Sequence, residues 1–325
     1  MNVSKWYEFV NGVTARVNEV IDQTEDLTPS FLESGLFEVV DNPESEIYRT
    51  QGVTGFSYLD LRGEQQPIQA DETYPAYQTE YAMKSYGKQV SISQRLMKTR
   101  QQQLEDKLSE VRQLVMSGNR TLKKHAWQVV ADGFSATDLN ANFPVSRLND
   151  QVAMFSASHP SRVPGVGNRS NRLSGDGVFS ESTAFDLINI IREQTNGRGL
   201  EIGYEEGFLF ILPPALEKKA TEVFQSQKRS GTANNDTNYF EGIHDFMSVT
   251  YLSNASTGIA AADTSFYCFA KNAPVKPLKY VPLIAPKVET DVDFDTKAVK
   301  VSIDGDWAMG YSNWEYSAAS DGTND

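Results

Sequence analysis

The chain has 325 residues, 39% of them hydrophobic and 22% charged, with a net charge of −13. That is the composition of a soluble globular protein, long enough for a sizeable core in two domains or one elaborated one. No apolar run approaches the ~20 residues that cross a bilayer. The opening Met1-Asn2-Val3-Ser4-Lys5-Trp6 lacks the apolar stretch of a signal peptide, so synthesis and use in a cytoplasm are expected.

The charge is uneven. Residues 1–46 carry 10 acidic and 2 basic side chains, and residues 289–325 carry 9 and 2. Residues 47–134 are mildly basic, with 12 bases and 9 acids. Acidic ends around a near-neutral middle argue against general nucleic-acid affinity, which needs basic surface to displace counterions. Solubility alone accounts for the charge equally well. The single cysteine, Cys268, lies in the apolar stretch Phe266-Tyr267-Cys268-Phe269. It excludes an intrachain disulfide and a CxxC metal site, and a buried, inert thiol is expected.

In chain order, residues 4–22 predict an amphipathic helix capped by Ser4, with Trp6, Val10, Val13, Val17 and Val20/Ile21 three and four apart. Residues 23–45 are acidic, contain Pro29 and Pro43, and read as an extended arm that frays or lies across a partner. Residues 46–92 carry the strongest signal, a long polar hairpin. Strand alternation runs from Tyr48 to Leu61 and from Tyr77 to Ile92, around the charged turn Arg62-Gly63-Glu64-Gln65-Gln66-Pro67. Val53, Phe56, Tyr58, Tyr77, Tyr81, Met83 and Val90 are its strand formers, and Gly52, Gly55 and Gly87 permit bends. An isolated ribbon is marginal in water, so this one must lie on something, and a neighbouring copy of the chain is the natural candidate.

Near Ser93 the pattern turns helical and continues to about Val130. Its stripe is Leu96, Leu104, Leu108, Val111, Val115, Leu122, Ala126 and Val129/Val130, with a break or kink expected at Gly118-Asn119. The stripe lacks the sustained heptads of a coiled coil. A loop-rich stretch over 135–150 precedes a short strand, Val152–Ser156. A Gly/Pro/Ser/Asn loop over 160–177 carries Arg162, Arg169 and Arg172, with no acid before Asp176. Ser180–Asn196 predicts a helix with Phe185, Ile188 and Ile191 on one face. Phe208–Leu212 predicts a strand buried on both faces, Pro213-Pro214 starts a helix over 214–226, and residues 228–240 are a polar loop. Strands follow near 246–252 and 265–270, which makes 150–285 an α/β unit. Residues 286–325 return to strand patterning at Val292–Phe294, Val299–Ile303 and Trp307–Tyr316, before a small, polar tail from Ser317.

Motifs for chemistry are missing. His125, His159 and His244 show neither HxxxH nor HExxH spacing. His125 reads as a solvated residue on the polar side of the long helix, and His159 as a turn residue before Pro160. There is no GxSxG elbow and no Walker loop. Gly165-Val166-Gly167-Asn168-Arg169-Ser170 lacks the third glycine of a dinucleotide loop. Asp291-Val292-Asp293-Phe294-Asp295 begins like a calcium loop, but Thr296 and Ser302 stand where glycine and glutamate are needed. A solvated acidic face is the expected reading of these three aspartates, with a weak cation site shared with a neighbour as the alternative. No catalytic residue, cofactor or metal site is assigned, and no enzyme activity is expected.

The order of parts resembles the HK97-like major capsid proteins of tailed phages. An acidic arm, long hairpin, long helix, inserted α/β domain and final β segment follow one another as in that family. Tyr86-Gly87-Lys88-Gln89-Val90-Ser91-Ile92-Ser93 looks like a return strand entering the spine helix. Phe155–Pro160, Phe210–Ala220, and the ending from Asp293-Phe294-Asp295-Thr296 through Trp307, Gly310 and Tyr311 to Thr323 are similar to Mu-like major head subunits. The resemblance covers nearly the whole chain. It implies an α+β, HK97-like fold with 1–45 as N-arm and 46–92 as E-loop. Residues 93–150 and 286–325 would form the peripheral domain with the spine helix, and 151–285 the axial domain. It also implies an icosahedral virion shell around double-stranded DNA, held by hexamers and pentamers and assembled in a bacterial cytoplasm. Scaffolding, portal and decoration proteins would be partners, with no specific DNA binding and no membrane. Phe56, Tyr58, Arg62, Glu64, Tyr77, Tyr81, Arg162, Arg169 and Arg172 are the candidate subunit-interface residues.

Two departures from the family matter. Some members cross-link through a lysine at the hairpin tip, and Leu61–Pro67 contains none, so no such bond is expected. Some carry a long N-terminal scaffolding domain. With only about 45 residues before the hairpin, scaffolding is expected as a separate protein or a removed segment. Two alternatives stay open, an encapsulin-like cellular compartment of the same fold and an unrelated α/β enzyme.

Overall fold

The computed structural model describes residues 14–19, 30–41, 43–68, 70–93, 101–228, 237–238, 240–293, 295–296 and 298–323. Of the helix predicted over 4–22, residues 14–19 are helical and the others lie outside the described set, as do Leu96 and Phe294. A 3-10 turn, Ser30–Ser34, leads into β1 (Phe37–Val39); β2 (Ile47–Val53), β3 (Pro75–Ala82) and β4 (Lys84–Ile92) follow. The long helix α1 (Gln101–Ala131) and β5 (Val145–Ser146) precede α2 (Glu181–Arg192), β6 (Phe208–Leu212) and α3 (Glu217–Phe224). The chain ends with β7 (Asp245–Ser248), β8 (Phe266–Ala270), β9 (Leu278–Val292), β10 (Val299–Tyr311) and β11 (Ser317–Ser320).

Two sheets organise the molecule. In the first, the order is β1-β9-β10-β4, with β5 also on β10. β9 and β10 form a long antiparallel pair, and β10 continues antiparallel to β4, with Val299 opposite Ile92 and Val301 opposite Val90. Strand alternation turns Val299, Val301 and Ile303 to one face. There they meet Leu108, Val111, Leu114 and Val115 of α1. In the second sheet the order is β11-β8-β6-β7. β6 is buried on both sides, which explains its unbroken apolar run. Phe208, Phe210 and Leu212 face α2, α3 and Phe240, while Leu209 and Ile211 join the cluster built on Trp127, Val129 and Val130 of α1. The C-terminal half of α1 therefore sits in a core shared by both sheets.

Local chemistry explains the α2 start. Ser180 accepts from the Thr183 amide and Thr183 Oγ1 accepts from the Ser180 amide, a reciprocal cap. Its buried face is Ala184, Leu187, Ile188 and Ile191; Phe185, predicted on that face, lies largely outside it at 38% exposure. α1 runs unbroken through Gly118. A Cβ there would lie 2.2 Å from Ile303 Cδ1, so the glycine admits the sheet against the helix rather than kinking it. Val152–Ser156 forms no strand.

Four larger corrections concern partners. The predicted hairpin is paired only between β2 and β3, with Tyr48 opposite Tyr81, whereas β4 leaves the ribbon for β10. The latter half of the predicted arm packs on its own subunit: Phe31, Leu36 and Phe37 are buried, and β1 pairs with β9. The predicted polar tail is β11, four buried residues paired with β8 in the sheet of the inserted unit. His125 is 1% exposed instead of solvated. Its Nδ1 accepts from Trp307 Nε1–H at 3.0 Å, its Nε2 lies 3.0 Å from the Pro144 carbonyl, and the Trp307 indole stacks on Tyr86. His159 is buried too, stacked on Trp314 and bonded to Asn171 at 3.0 Å.

Gly310 marks a closer approach still. A Cβ on it would stand 2.1 Å from the Ser146 carbonyl oxygen, a backbone atom that cannot swing aside. Gly310→Ala is expected to lower unfolding free energy by about 1–3 kcal/mol through overpacking. Urea denaturation checks this; an unchanged midpoint would show that β5 shifts freely.

Candidate assembly interface

Beyond Val53 the ribbon loses its pairing. Thr54, nearly buried, makes the last rungs: its amide donates to the Tyr74 carbonyl at 2.9 Å and its Oγ1 accepts from the Tyr74 amide at 3.2 Å. The described residues of 54–74 contain no strand. A turn closes the far end, with the Gln66 amide on the Gly63 carbonyl. Between these points the loop presents apolar side chains to water. Leu59 and Leu61 are 100% and 101% exposed, Ile68 82%, and Phe56 and Tyr58 65% each. A cluster of this kind on one projection makes the loop the candidate contact surface. Arg62 and Glu64 are exposed at the same tip.

The other predicted interface residues belong to the subunit's own packing. Tyr81 is fully buried beside Val281 and Ala308, so its ring cannot cover a neighbour. Tyr77 is half-buried, with the Arg162 guanidinium 4.9 Å from its ring centroid, and Arg162 also donates to the Ala76 carbonyl. Arg169 pairs with Glu315 at 2.5 Å, reaches the Thr195 carbonyl and lies over Trp314. Arg172 makes a bidentate contact with Asp176, binds Asp321 at 2.6 Å and lies over Phe134. These arginines tie the 160–177 loop to the hairpin base and to the C-terminal segment. Glu315 and Asp321, the acids that Arg169 and Arg172 meet, lie far along the same chain.

Two residues escaped the sequence reading altogether. Asp71 Oδ2 accepts from the Ser57 amide and hydroxyl at 2.7 Å each, and from Arg198 Nη1 at 2.6 Å. Arg198 Nη2 donates to the Glu72 carbonyl at 2.5 Å. The Arg198 guanidinium, with the Ser57 donors, holds the Asp71 carboxyl well below the usual carboxylate range, so the pair stays charged in mild acid. Beside it, a Cβ on Gly197 would strike Thr54 at 2.9 Å. Only the run Asn196-Gly197-Arg198-Gly199, a turn signal after a predicted helix, hinted at a special backbone here.

Asp293 is engaged by Lys300 and by the Asp295 and Thr296 amides, and among the described residues no three acidic, histidine or cysteine side chains converge on a metal position. Cys268 is buried, and desolvation pushes its thiol far up. Among the described residues no helix is long and apolar enough to cross a membrane.

Residues 76–319 match the family model described as phage capsid protein. Solved structures with the same fold share little sequence. The capsid of Ralstonia phage GP4 superposes with a TM-score of 0.52 at 10% identity, covering 88% of this chain and 87% of that one. The capsid of an empty GTA particle gives 0.51 at 9% identity, covering 91% and 90%. A Mycobacterium phage Patience structure gives 0.50 at 11% identity, covering 97% and 86%. No curated protein matches the chain in sequence.

Proposed function

Because this chain belongs to the phage capsid protein family, as a structural major capsid protein of a tailed phage with the HK97-like fold, we propose that its copies close an icosahedral shell around double-stranded DNA. Hexamers and pentamers are the building blocks, and the 54–74 loop of each copy covers a neighbour. The observation that supports the loop's role is its apolar tip, which its own subunit leaves in water. The inserted unit, roughly 151–285 with β11 added, is the axial domain; α1 and the β9–β10 sheet form the peripheral domain. The protein is non-enzymatic, resides in the virion and assembles in the host cytoplasm with scaffolding, portal and decoration proteins as partners. DNA is enclosed without specific binding, as the net charge of −13 favours. The compartment and enzyme alternatives have no observation in their favour.

Expression of the chain alone and with its neighbouring genes, followed by electron microscopy, tests this. Closed shells are expected, with DNA in particles from infected cells. Small oligomers only, under both conditions, would overturn the reading. Boiled, non-reduced shells are expected to run as one band near 36.2 kDa, since the tip lacks lysine and the chain has one cysteine. A ladder of larger species would show covalent links.

A further inference from the structure

Among the described residues, the ribbon that carries the loop is hydrogen-bonded to the body through β3 and not through β2. β3 is held firmly: Thr79 Oγ1 donates to the Tyr311 carbonyl at 3.0 Å, the Asn149 amide to the Gln78 carbonyl at 2.9 Å, and Arg162 to the Ala76 carbonyl at 3.2 Å. β2 stands off. A cleft of about 440 Å³ opens between it and the body, bordered by Thr50, Gly52, Arg162, Asn196 and Trp314. A ribbon fixed along one strand, with space beneath the other, has a fulcrum and room to swing.

Across the outer end of that cleft, beside the packing of Thr54 on Gly197, runs an ion pair. Arg198 projects from the connection between α2 and β6 and grips the returning arm of the loop at Asp71 and Glu72. Asp71 in turn holds the outgoing arm through Ser57. One guanidinium thus ties both arms to the axial side of the subunit. Its planar fork suits this, since two parallel donors fix a direction as well as a distance. The Arg198 side chain is 15% exposed and that of Asp71 31%, so solvent screens the pair only in part.

We propose that Arg198 and Asp71 are positioning residues of the assembly loop, their ion pair a strap that fixes the angle at which the 58–68 tip leaves the subunit. The proposal rests on the reading of that tip as the contact to a neighbouring copy. With the strap closed, the apolar tip is presented in one direction, and little ordering entropy remains for assembly to overcome. With it open, the ribbon pivots on Ala76–Thr79 and the tip samples many directions.

Hydrogen exchange on the soluble subunit, followed by assembly of the same preparations, tests this. In the wild type, the Thr54, Ser57 and Tyr74 amides should be protected and shells should form. Arg198→Ala and Asp71→Asn should speed exchange across 54–74 roughly fivefold to tenfold, leave Phe208–Leu212 unchanged, and reduce the yield of closed shells. Arg198→Lys should fall between, because an ammonium keeps the charge but cannot span both Asp71 and Glu72. Wild-type exchange and yield in Arg198→Ala would overturn the strap. So would faster exchange at Phe208–Leu212, which would make Arg198 a folding residue. Absence of shells from the wild type itself would instead defeat the capsid reading, leaving the exchange result to judge the strap alone.

Discussion

Serine at Leu59, Leu61 and Ile68 is expected to leave a folded subunit that no longer assembles. All three are more than four-fifths exposed, so their loss costs the subunit almost nothing, within about 0.5 kcal/mol. On the proposed contact each is covered by a neighbouring copy, and full burial of such a side chain is worth about 1.5–3 kcal/mol. Three of them remove roughly 5–9 kcal/mol of apolar association per loop, an upper bound before ordering costs. The same loop recurs in every copy, so the defect is multiplied around the shell. Sedimentation and electron microscopy should show subunits or small oligomers where the wild type gives shells, with the urea midpoint unchanged. Wild-type shell yield would show that the tip carries no contact. A lowered midpoint would show that it packs on its own subunit.

The second large effect is acid sensitivity centred on His125. Burial pushes this imidazole down to about 4 from its ordinary value near 6.5, opposed in part by the Pro144 carbonyl and Asp138. Both ring nitrogens are engaged in the neutral form, with Nδ1 accepting from Trp307 and Nε2–H donating to Pro144. Protonation would set an N–H against the indole N–H. Below pH 6.5 the unfolded chain takes up a proton that the folded chain refuses. The stability from this site is therefore complete above about 6.5 and is lost as pH falls toward 4, by roughly 3 kcal/mol over the interval. Urea titrations at pH 7 and pH 4.5 should show most of that loss. His125→Gln offers an acceptor and a donor without titrating, so its stability should depend less steeply on pH by about one proton. His125→Leu leaves the indole N–H and the Pro144 carbonyl unpaired and should cost about 2–5 kcal/mol at pH 7. An unaltered pH slope in His125→Gln would assign the acid sensitivity elsewhere.

Local pattern was enough to locate most of the elements. The five apolar residues Phe208–Leu212 announced a strand buried on two faces, and both faces are covered. The stripe Leu108, Val111, Val115, Leu122 and Ala126 marked the side of the long helix that the sheets cover, because 3.6 residues per turn is a property of the chain itself. The family, too, was legible in the order of parts, and the match over 76–319 bears it out. What local pattern does not contain is the partner. Tyr77–Ile92 alternates throughout, yet half of it pairs with β2 and half with β10, more than 200 residues on, since alternation specifies a face and not a neighbour. His125 and Tyr81 look like surface residues until α1 and β3 are placed between two sheets. Arg169, Arg172 and Arg198 look unpaired until the fold brings Glu315, Asp321 and Asp71 to them. Sequence alone determined most of the elements and the family. Tertiary structure decided which apolar side chains stay in water, because burial is settled only when every long-range contact has formed.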